Sequence, residues 1–205
     1  MGVRMKIIDI SRDVLNTPAY PGDPETFSTS VKSIKNGDHC NLSDFYTGLH
    51  TATHIDAPLH FIDGGESIDK LDLGIFIGDC VVVEAPPGPI TGAFADEHFP
   101  TKNCERLLIK GGGKAYLIES SAYFMSDNGI KLVGTDSDSI GIHENNIVVH
   151  KALLGRGTVI LEGLDLENVA PGRYFLMAQP LKISGTEASL CRALLVEDHL
   201  FWTGD

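Results

Sequence analysis

The segment HTATHIDAPLH, residues 50–60, contains three of the eight histidines of this 205-residue chain. His50, His54, Asp56 and His60 all occupy even-numbered positions, which in one β-strand would place their side chains on the same face. In a straight strand, however, His50 and His60 would lie about 33 Å apart, and His50 and His54 about 13 Å apart. Nitrogen ligands lie about 2 Å from a metal ion, so a straight strand could not bring these histidines to one ion.

A helix would bring His50 and His54 together, but the residues around them disfavour one. Pro58 stops a helix soon after, and the segment is rich in β-branched residues, namely Thr51, Thr53 and Ile55. If the polar side chains share a site, the backbone must bend sharply at small residues such as Ala52 and Ala57. The spacing alone leaves two interpretations open: a metal site, or a polar loop whose histidines bond to the backbone or to water.

Two residues in the second half of the chain favour the metal site. His150 falls in a segment that predicts a helix, residues 145–155, and Glu162 is the one charged residue in the apolar segment VILEGL, residues 159–164. A charge in an apolar strand is costly unless it is paired or coordinates a metal. Either residue alone is more often structural. Together with the upstream histidines and aspartate, they favour coordination.

The composition is typical of one globular domain, which we expect to span residues 1–205. Hydrophobic residues make up 42% of the chain and charged residues 21%, and the length suffices to bury a core. Helices are predicted at 120–127, where a serine can cap, and at 145–155, begun by Asn145 or Asn146 and ended by Gly155. Strands are predicted at 6–10, 27–34, 42–50, 80–85, 106–110, 130–136, 158–164, 174–178 and 192–197. This pattern predicts an α/β fold, a strand-rich domain with a mixed sheet and a few helices.

Charge and cysteine content narrow the classes of partner and compartment. The formal net charge of −12 argues against nucleic acid or an anionic membrane surface as a partner. The four cysteines are scattered without a Cys-x-x-Cys pair, which is typical of reduced thiols. No apolar run is long enough for a signal peptide or a membrane span. We therefore expect a cytoplasmic protein.

HTATHIDAPLH resembles the His-x-Gly-Thr-His-x-Asp-x-Pro-x-His signature of the bacterial cyclase family, whose best-understood members are kynurenine formamidases. Three further segments resemble the family in the same order: YPGDP at 20–24, LVGTD at 132–136 and HKALLGRGTVILEGL at 150–164. The resemblance therefore spans most of the chain. It implies the swivelling β/β/α fold of the cyclases and a homodimer or homotetramer.

The resemblance also implies a site with two divalent metal ions. His50, His54 and Asp56 match the first ligands, with Asp56 bridging the ions, while His150 matches a ligand of the second ion and Glu162 a carboxylate that touches both. Because no cysteine is among the ligands, zinc is expected first, with manganese, iron and cobalt as alternatives.

Other positions match residues that act on the substrate or depart from the family pattern. His60 matches the proton donor and acceptor, a role that suits a histidine titrating near neutrality. Tyr20 stands where the formamidases carry a tryptophan that lines the substrate pocket. Ala52 replaces the motif glycine, which is harmless if the backbone there is not left-handed. The hydroxyls of Thr51 and Thr53 or the carboxylate of Asp136 could orient the ligands, or all three could simply serve turns. KGGGK at 110–114 is predicted to be a turn.

These residues predict a metal-dependent amidohydrolase. Five nitrogen and oxygen ligands are too few to saturate two ions, so positions remain for water and a small-molecule substrate. The resemblance to the kynurenine formamidases implies hydrolysis of a small aromatic amide, such as N-formylkynurenine to kynurenine and formate. Two alternatives stay open: a relative that hydrolyses a cyclic amide or lactone, and a metal-dependent small-molecule binding protein with little turnover.

Overall fold

The structure is a computed structural model that describes residues 6–100, 102–142, 144 and 146–197. The α-helices are α1 (Gly92–His98), α2 (Glu119–Asp127) and α3 (Asn146–Leu154). The strands are β1 (Lys6–Asp9), β2 (Phe27–Lys32), β3 (Leu42–Tyr46), β4 (His54–Asp56), β5 (Ile77–Glu84), β6 (Gly88–Ile90), β7 (Arg106–Lys110), β8 (Ala115–Leu117), β9 (Leu132–Thr135), β10 (Val159–Glu162), β11 (Gly172–Met177), β12 (Ala188–Leu190) and β13 (Leu194–Glu197).

Nine of these strands form one mixed sheet, in the order β1-β13-β11-β5-β7-β9-β10-β4-β12. The central strands β5, β7, β9 and β10 are parallel to one another. Antiparallel strands flank them, with β11, β13 and β1 on one side and β4 and β12 on the other. The predicted α/β fold with a mixed sheet is confirmed. That residues 1–205 form one domain stays a prediction.

The central strands are buried on both faces, which explains their nearly continuous apolar sequences. Val81 and Val83 of β5 point into a core shared with the three helices, whereas Val82 points to the opposite face. In β7, Leu107 and Leu108 divide between the two cores in the same way. The second core is closed by side chains from the antiparallel strands at both ends of the sheet, among them Ile55, Leu176 and Leu195.

All nine predicted strand segments contain an observed strand, and both predicted helices are present. Helix α2 begins at Glu119, and its N-cap residue is Ile118, which forms no side-chain capping hydrogen bond, so the predicted serine cap is wrong. A serine instead contributes from inside the first turn, where the Ser121 hydroxyl accepts the backbone N–H of Ile118 at 3.1 Å. Helix α3 has Asn146 as its first residue and ends just before Gly155; Asn145 lies outside the described residues.

Four short strands and helix α1 were not predicted. Strands β4, β6, β8 and β12 have three residues each, too few to show a hydrophobic period. Helix α1 has seven residues and begins with a glycine, and the Thr91 hydroxyl caps it by accepting the Phe94 N–H at 3.1 Å. Among the described residues, no helix is both long and apolar enough to span a membrane.

Candidate metal centre

Strand β4 brings His54 and Asp56 to the carboxyl end of strand β10. The two strands are antiparallel, with His54 paired to Glu162 and Asp56 paired to Ile160. Alternate residues of a strand share a face and directly paired residues point the same way, so His54, Asp56 and Glu162 project together. All three are almost completely buried, with exposed fractions of 4% or less.

A sharp bend before β4 returns His50 to the same place. Ala52 has a φ of +54°, a left-handed conformation that reverses the chain between His50 and His54. The His50 Nδ1 atom consequently lies 2.9 Å from Asp56 Oδ1, and the His50 and His54 rings are 5.3 Å apart. The bend predicted at Ala52 is confirmed, but the left-handed backbone makes alanine a strained replacement for the family glycine. At Ala57 the φ is −91°, and the turn follows in the 3-10 helix Pro58–His60.

Helix α3 contributes the remaining histidine from above the sheet. His150 is 1% exposed, and its Nδ1 atom lies 2.9 Å from the backbone carbonyl of Asn146, one helical turn earlier. This contact leaves Nε2 directed at the carboxylates, 3.4 Å from Asp56 Oδ2 and 3.2 Å from Glu162 Oε1. The five predicted ligands therefore meet in one cluster, although residues 50 and 162 are far apart in the chain.

The electrostatics of the cluster depend on the two buried carboxylates. Burial raises the pKa of Asp56 and Glu162, but the neighbouring histidines outweigh this effect and hold both carboxyl groups ionised, with the pKa of Glu162 at about 2. Burial likewise opposes protonation of His150, yet Asp56 and Glu162 raise its pKa to about 10. Two negative charges buried side by side create a strong demand for positive charge at this point.

The donor atoms fit a divalent metal ion. Within the described part of the chain, only three buried side-chain polar atoms lack a hydrogen-bond partner, and two of them are His54 Nε2 and Asp56 Oδ2. Nε2 of His54 lies 3.5 Å from Asp56 Oδ1 and 3.4 Å from Glu162 Oε2, longer than good hydrogen bonds. Four ligands arranged tetrahedrally about 2.1 Å from an ion would lie about 3.4 Å from one another. The spacing is therefore that of atoms around a common ion.

His60 reaches the cluster from the 3-10 helix that follows β4. Its ring stacks on that of His50 at 4.1 Å and packs edge-on against Phe61 at 4.2 Å. Two groups of potential ligand atoms share Asp56, each within 4.8 Å: one with His50 and His60, the other with His54 and Glu162. Burial lowers the pKa of His60 to about 4, so His60 does not titrate near neutrality as its sequence position suggested.

A cavity of about 200 Å³ opens onto the cluster and is lined by Tyr20, as predicted. Five further lining residues were not predicted as site residues: Asp23, Phe61, Asp138, Ser139 and Asn146. Asp23 belongs to the YPGDP segment and Phe61 follows His60 directly, so adjacency to the motifs was the available signal. Asn146 was considered only as a helix cap.

Neither threonine of the motif has its hydroxyl hydrogen-bonded to a predicted ligand among the described residues, and the buried hydroxyl of Thr51 has no hydrogen-bond partner. The Thr53 hydroxyl donates to the Gly163 carbonyl at 2.6 Å and accepts the backbone N–H of Arg12 at 2.8 Å. It therefore joins three chain segments beneath the site. Gly163 has a φ of +67°, and a Cβ atom there would lie 1.9 Å from the Ala52 carbonyl oxygen, so only glycine allows β10 to end this close to the bend.

Comparison with known proteins agrees with this architecture. The family model "Putative cyclase" matches residues 8–141, and a kynurenine formamidase from Salinibacter ruber is 36% identical over 215 residues, covering 93% of this chain and 97% of the relative. The chain belongs to the cyclase family. The relative's coverage extends the cyclase similarity beyond residue 141, into the half of the chain that carries His150 and Glu162.

Solved structures share the cyclase fold. A protein described as a potential metal-dependent hydrolase with cyclase activity superimposes with a TM-score of 0.83 at 28% identity, covering 94% of this chain and 98% of the other. An isatin hydrolase bound to the product analogue thioisatinate gives a TM-score of 0.80 at 19% identity, covering 94% and 92%. At 19% identity, the second similarity concerns the fold alone.

Proposed function

We propose that this member of the cyclase family is a metal-dependent hydrolase of small aromatic amides, of the kynurenine formamidase type, converting N-formylkynurenine to kynurenine and formate. The observation that carries the proposal is the buried cluster of His54, Asp56 and Glu162 at the base of a cavity with an aromatic wall. Three relatives that each match more than nine-tenths of this chain are named kynurenine formamidases, which supports the same chemistry.

We propose two divalent ions, with zinc first and manganese, iron or cobalt as alternatives. His54 and Glu162 would hold one ion together with Asp56. His50 and His150 would supply the remaining ligands of the two-ion site. Asp56 belongs to both groups of potential ligand atoms, so its carboxylate would serve both ions; in the group with His50, His60 is the proposed proton carrier and not a ligand. Divalent ions in this position would acidify a water molecule and polarise the carbonyl oxygen of the substrate.

The protein's own groups would handle the proton and orient the substrate. His60 is neutral at pH 7 because burial lowers its pKa, so a ring nitrogen accepts a proton from water and delivers it to the departing nitrogen of the amide. Phe61 packs against both His60 and His150, with ring centres 4.2 and 4.8 Å away, and holds the imidazole of His60 in place.

The cavity favours a single flat ring. Its volume of about 200 Å³ is below the ~300–1,000 Å³ of sites for drug-sized ligands. Tyr20 is half-buried and lines this cavity, where its ring would provide a stacking surface without needing the indole of the family tryptophan. A cyclic amide or lactone of similar size remains the alternative substrate, and a binding protein with little turnover the alternative class.

We also propose that the chain self-associates, as a homodimer or homotetramer, through the β2–β3 hairpin. Every residue of both strands is exposed. The hairpin region carries six large exposed apolar side chains: Phe27, Val31, Ile34, Leu42, Phe45 and Tyr46. A cluster of this kind marks an interaction site. Residues 27–46 contain two lysines and two aspartates, so two copies of the hairpin can meet without the repulsion expected from the chain's net charge of −12.

Light scattering tests the self-association. The wild-type mass should be twice or four times that of one chain, and Phe45→Ser should shift it towards one chain. A monomeric wild type would contradict the proposal.

We propose a cytoplasmic location because the four cysteines form no disulfide among the described residues, as is usual for proteins of a reducing compartment.

A substrate comparison tests the activity. Purified protein, loaded separately with zinc and with manganese, is offered N-formylkynurenine, isatin as a cyclic amide, and a lactone of similar size. We expect release of formate and kynurenine at the highest kcat/KM. Faster opening of the ring compounds would favour the cyclic-substrate alternative, and tight binding with no product from any compound would favour the binding protein.

A further inference from the structure

The glycine run Gly111–Gly113 forms a cradle of backbone N–H groups that is filled by a carboxylate of the same chain. The N–H of Gly111 lies 3.0 and 3.1 Å from the two carboxylate oxygens of Asp136, that of Gly112 donates to Oδ2 at 2.9 Å, and that of Gly113 to Oδ1 at 3.2 Å. Successive N–H groups converging on one point form an anion-binding nest. Asp136 itself is 7% exposed.

The cradle needs glycine for two different reasons. Gly112 and Gly113 have φ angles of +62° and +70°, which L-residues adopt only with strain. Gly111 has no such angle, but a Cβ atom there would lie 2.3 Å from the Cβ of Ala115. The turn predicted for KGGGK is therefore present, and its shape is matched to a carboxylate.

From Asp136 the chain leads directly to the metal centre. The backbone carbonyl of Ser137 accepts the N–H of Gly163 at 3.0 Å, which ties this segment to the residue after Glu162. The Ile140 N–H then donates to Glu162 Oε1 at 2.7 Å. The Ser139 hydroxyl shares its proton between the same oxygen at 3.2 Å and Asn146 Oδ1 at 2.9 Å. Segment 136–140 thus holds Glu162 in two ways: it binds the Glu162 carboxylate through Ile140, and it anchors the backbone of the next residue, Gly163, through Ser137.

We propose that Asp136, held in the Gly111–Gly113 cradle, is a positioning residue that sets the orientation of Glu162 and thereby the affinity of the metal centre. The inference rests on the proposed metal centre. Within the described residues, the hydrogen bonds of Asp136 go to the cradle, to Arg12 and to Ile109, and to none of the five proposed ligands. Asp136 therefore acts through segment 136–140. Because three N–H groups fix its carboxylate, the segment cannot shift without breaking these hydrogen bonds.

The test is the metal dissociation constant of Asp136→Asn, measured by competition with a chromophoric chelator. In asparagine an NH2 group replaces one of the two carboxylate oxygens, so a donor would face the N–H donors of the cradle. The hydrogen bonds to that oxygen would be lost. We expect the dissociation constant for Zn²⁺ to rise about tenfold, the lower end of the range for residues that orient metal ligands. Asp165→Asn is the matched control, since it removes the same charge from an exposed residue near the cradle and should leave the constant unchanged.

The measurement is made at a temperature at which circular dichroism shows both variants fully folded, because a purely structural residue would lower the unfolding temperature without changing metal affinity. Equal constants for Asp136→Asn and Asp165→Asn would overturn the inference and leave the metal centre standing. A wild-type protein that binds no divalent ion would overturn both.

A second variant keeps the test available if Asp136→Asn does not fold. Gly113→Ala retains the Asp136 carboxylate but strains the left-handed backbone at residue 113, whose N–H belongs to the cradle. The added Cβ causes no clash, because the nearest atom would be the Asp136 carbonyl oxygen at 3.7 Å. Gly129→Ala is its control, with a φ of +78° and open space around the added Cβ at the end of α2. Metal affinity should fall in the first variant only; equal affinities would overturn the inference.

Discussion

His54 and Glu162 face each other across neighbouring antiparallel strands, with His54 Nε2 3.4 Å from Glu162 Oε2 and no hydrogen-bond partner for this nitrogen within the described residues. The pair is almost fully buried, at 2% and 4% exposure. A neutral imidazole nitrogen that faces a buried carboxylate without a hydrogen bond is unfavourable, and either a proton or a metal ion between the two groups would relieve this cost. This relationship is the physical basis for the metal centre.

Replacing His54 should remove the metal. In His54→Ala we expect loss of at least one of the two ions per chain and of nearly all hydrolysis, measured by elemental analysis beside a product assay. His98→Ala is the matched control, because His98 is exposed on α1 and stacks on Phe94. Full metal content with normal turnover in His54→Ala would show that the cluster is not a metal centre.

His60→Ala separates proton transfer from metal binding. We expect the variant to keep its metal and lose roughly 10²–10⁴-fold in kcat, the usual contribution of a general acid or base. The ligand atoms of His60, His50 and Asp56 lie within 4.8 Å of one another, so His60 is close enough to bind the same ion as the other two. Metal content must therefore be measured in the same sample. Recovery of part of the rate on adding imidazole would support the proton-transfer role. A variant that is purified without metal would make His60 a ligand instead.

Tyr20→Ala tests the aromatic wall of the cavity. Loss of the stacking surface should raise KM for an aromatic amide by about 2–10-fold, corresponding to about 0.5–1.5 kcal/mol per aromatic pair, with metal content unchanged. Tyr20→Phe keeps the ring and should stay close to wild type. If Tyr20→Ala and wild type handle aromatic and aliphatic amides equally well, Tyr20 does not select the substrate.

The strand content and the identity of the clustered residues were predictable, because both are local properties. Glu162 stands out as the one charge in an apolar strand, and the resemblance of HTATHIDAPLH to the cyclase signature marks His54 and Asp56. The pairing of β4 with β10 was not predictable, since a three-residue strand carries no register information and its partner lies about a hundred residues later. The approach of His50 depends on a left-handed residue, and the sequence shows an alanine where a glycine would have indicated it.

That alanine gives a stability prediction. A left-handed conformation costs a non-glycine residue about 1–2 kcal/mol, while glycine adds about 0.4–1 kcal/mol of unfolded-state entropy to be lost on folding. Ala52→Gly should therefore raise the free energy of unfolding by roughly 0.5–1 kcal/mol in urea denaturation of the metal-free protein. Ala57→Gly, at a φ of −91°, should lower it. A less stable Ala52→Gly would contradict the strain at this bend.

Titration of metal-free protein with Zn²⁺ or Mn²⁺ tests the central claim most directly. Hydrolysis of N-formylkynurenine is followed as each equivalent of metal is added, and bound metal is counted in the same samples. We predict no turnover without metal, a rise that ends at no more than two bound ions per chain, and loss on addition of a chelator. Full turnover by protein shown to contain no metal would contradict the account.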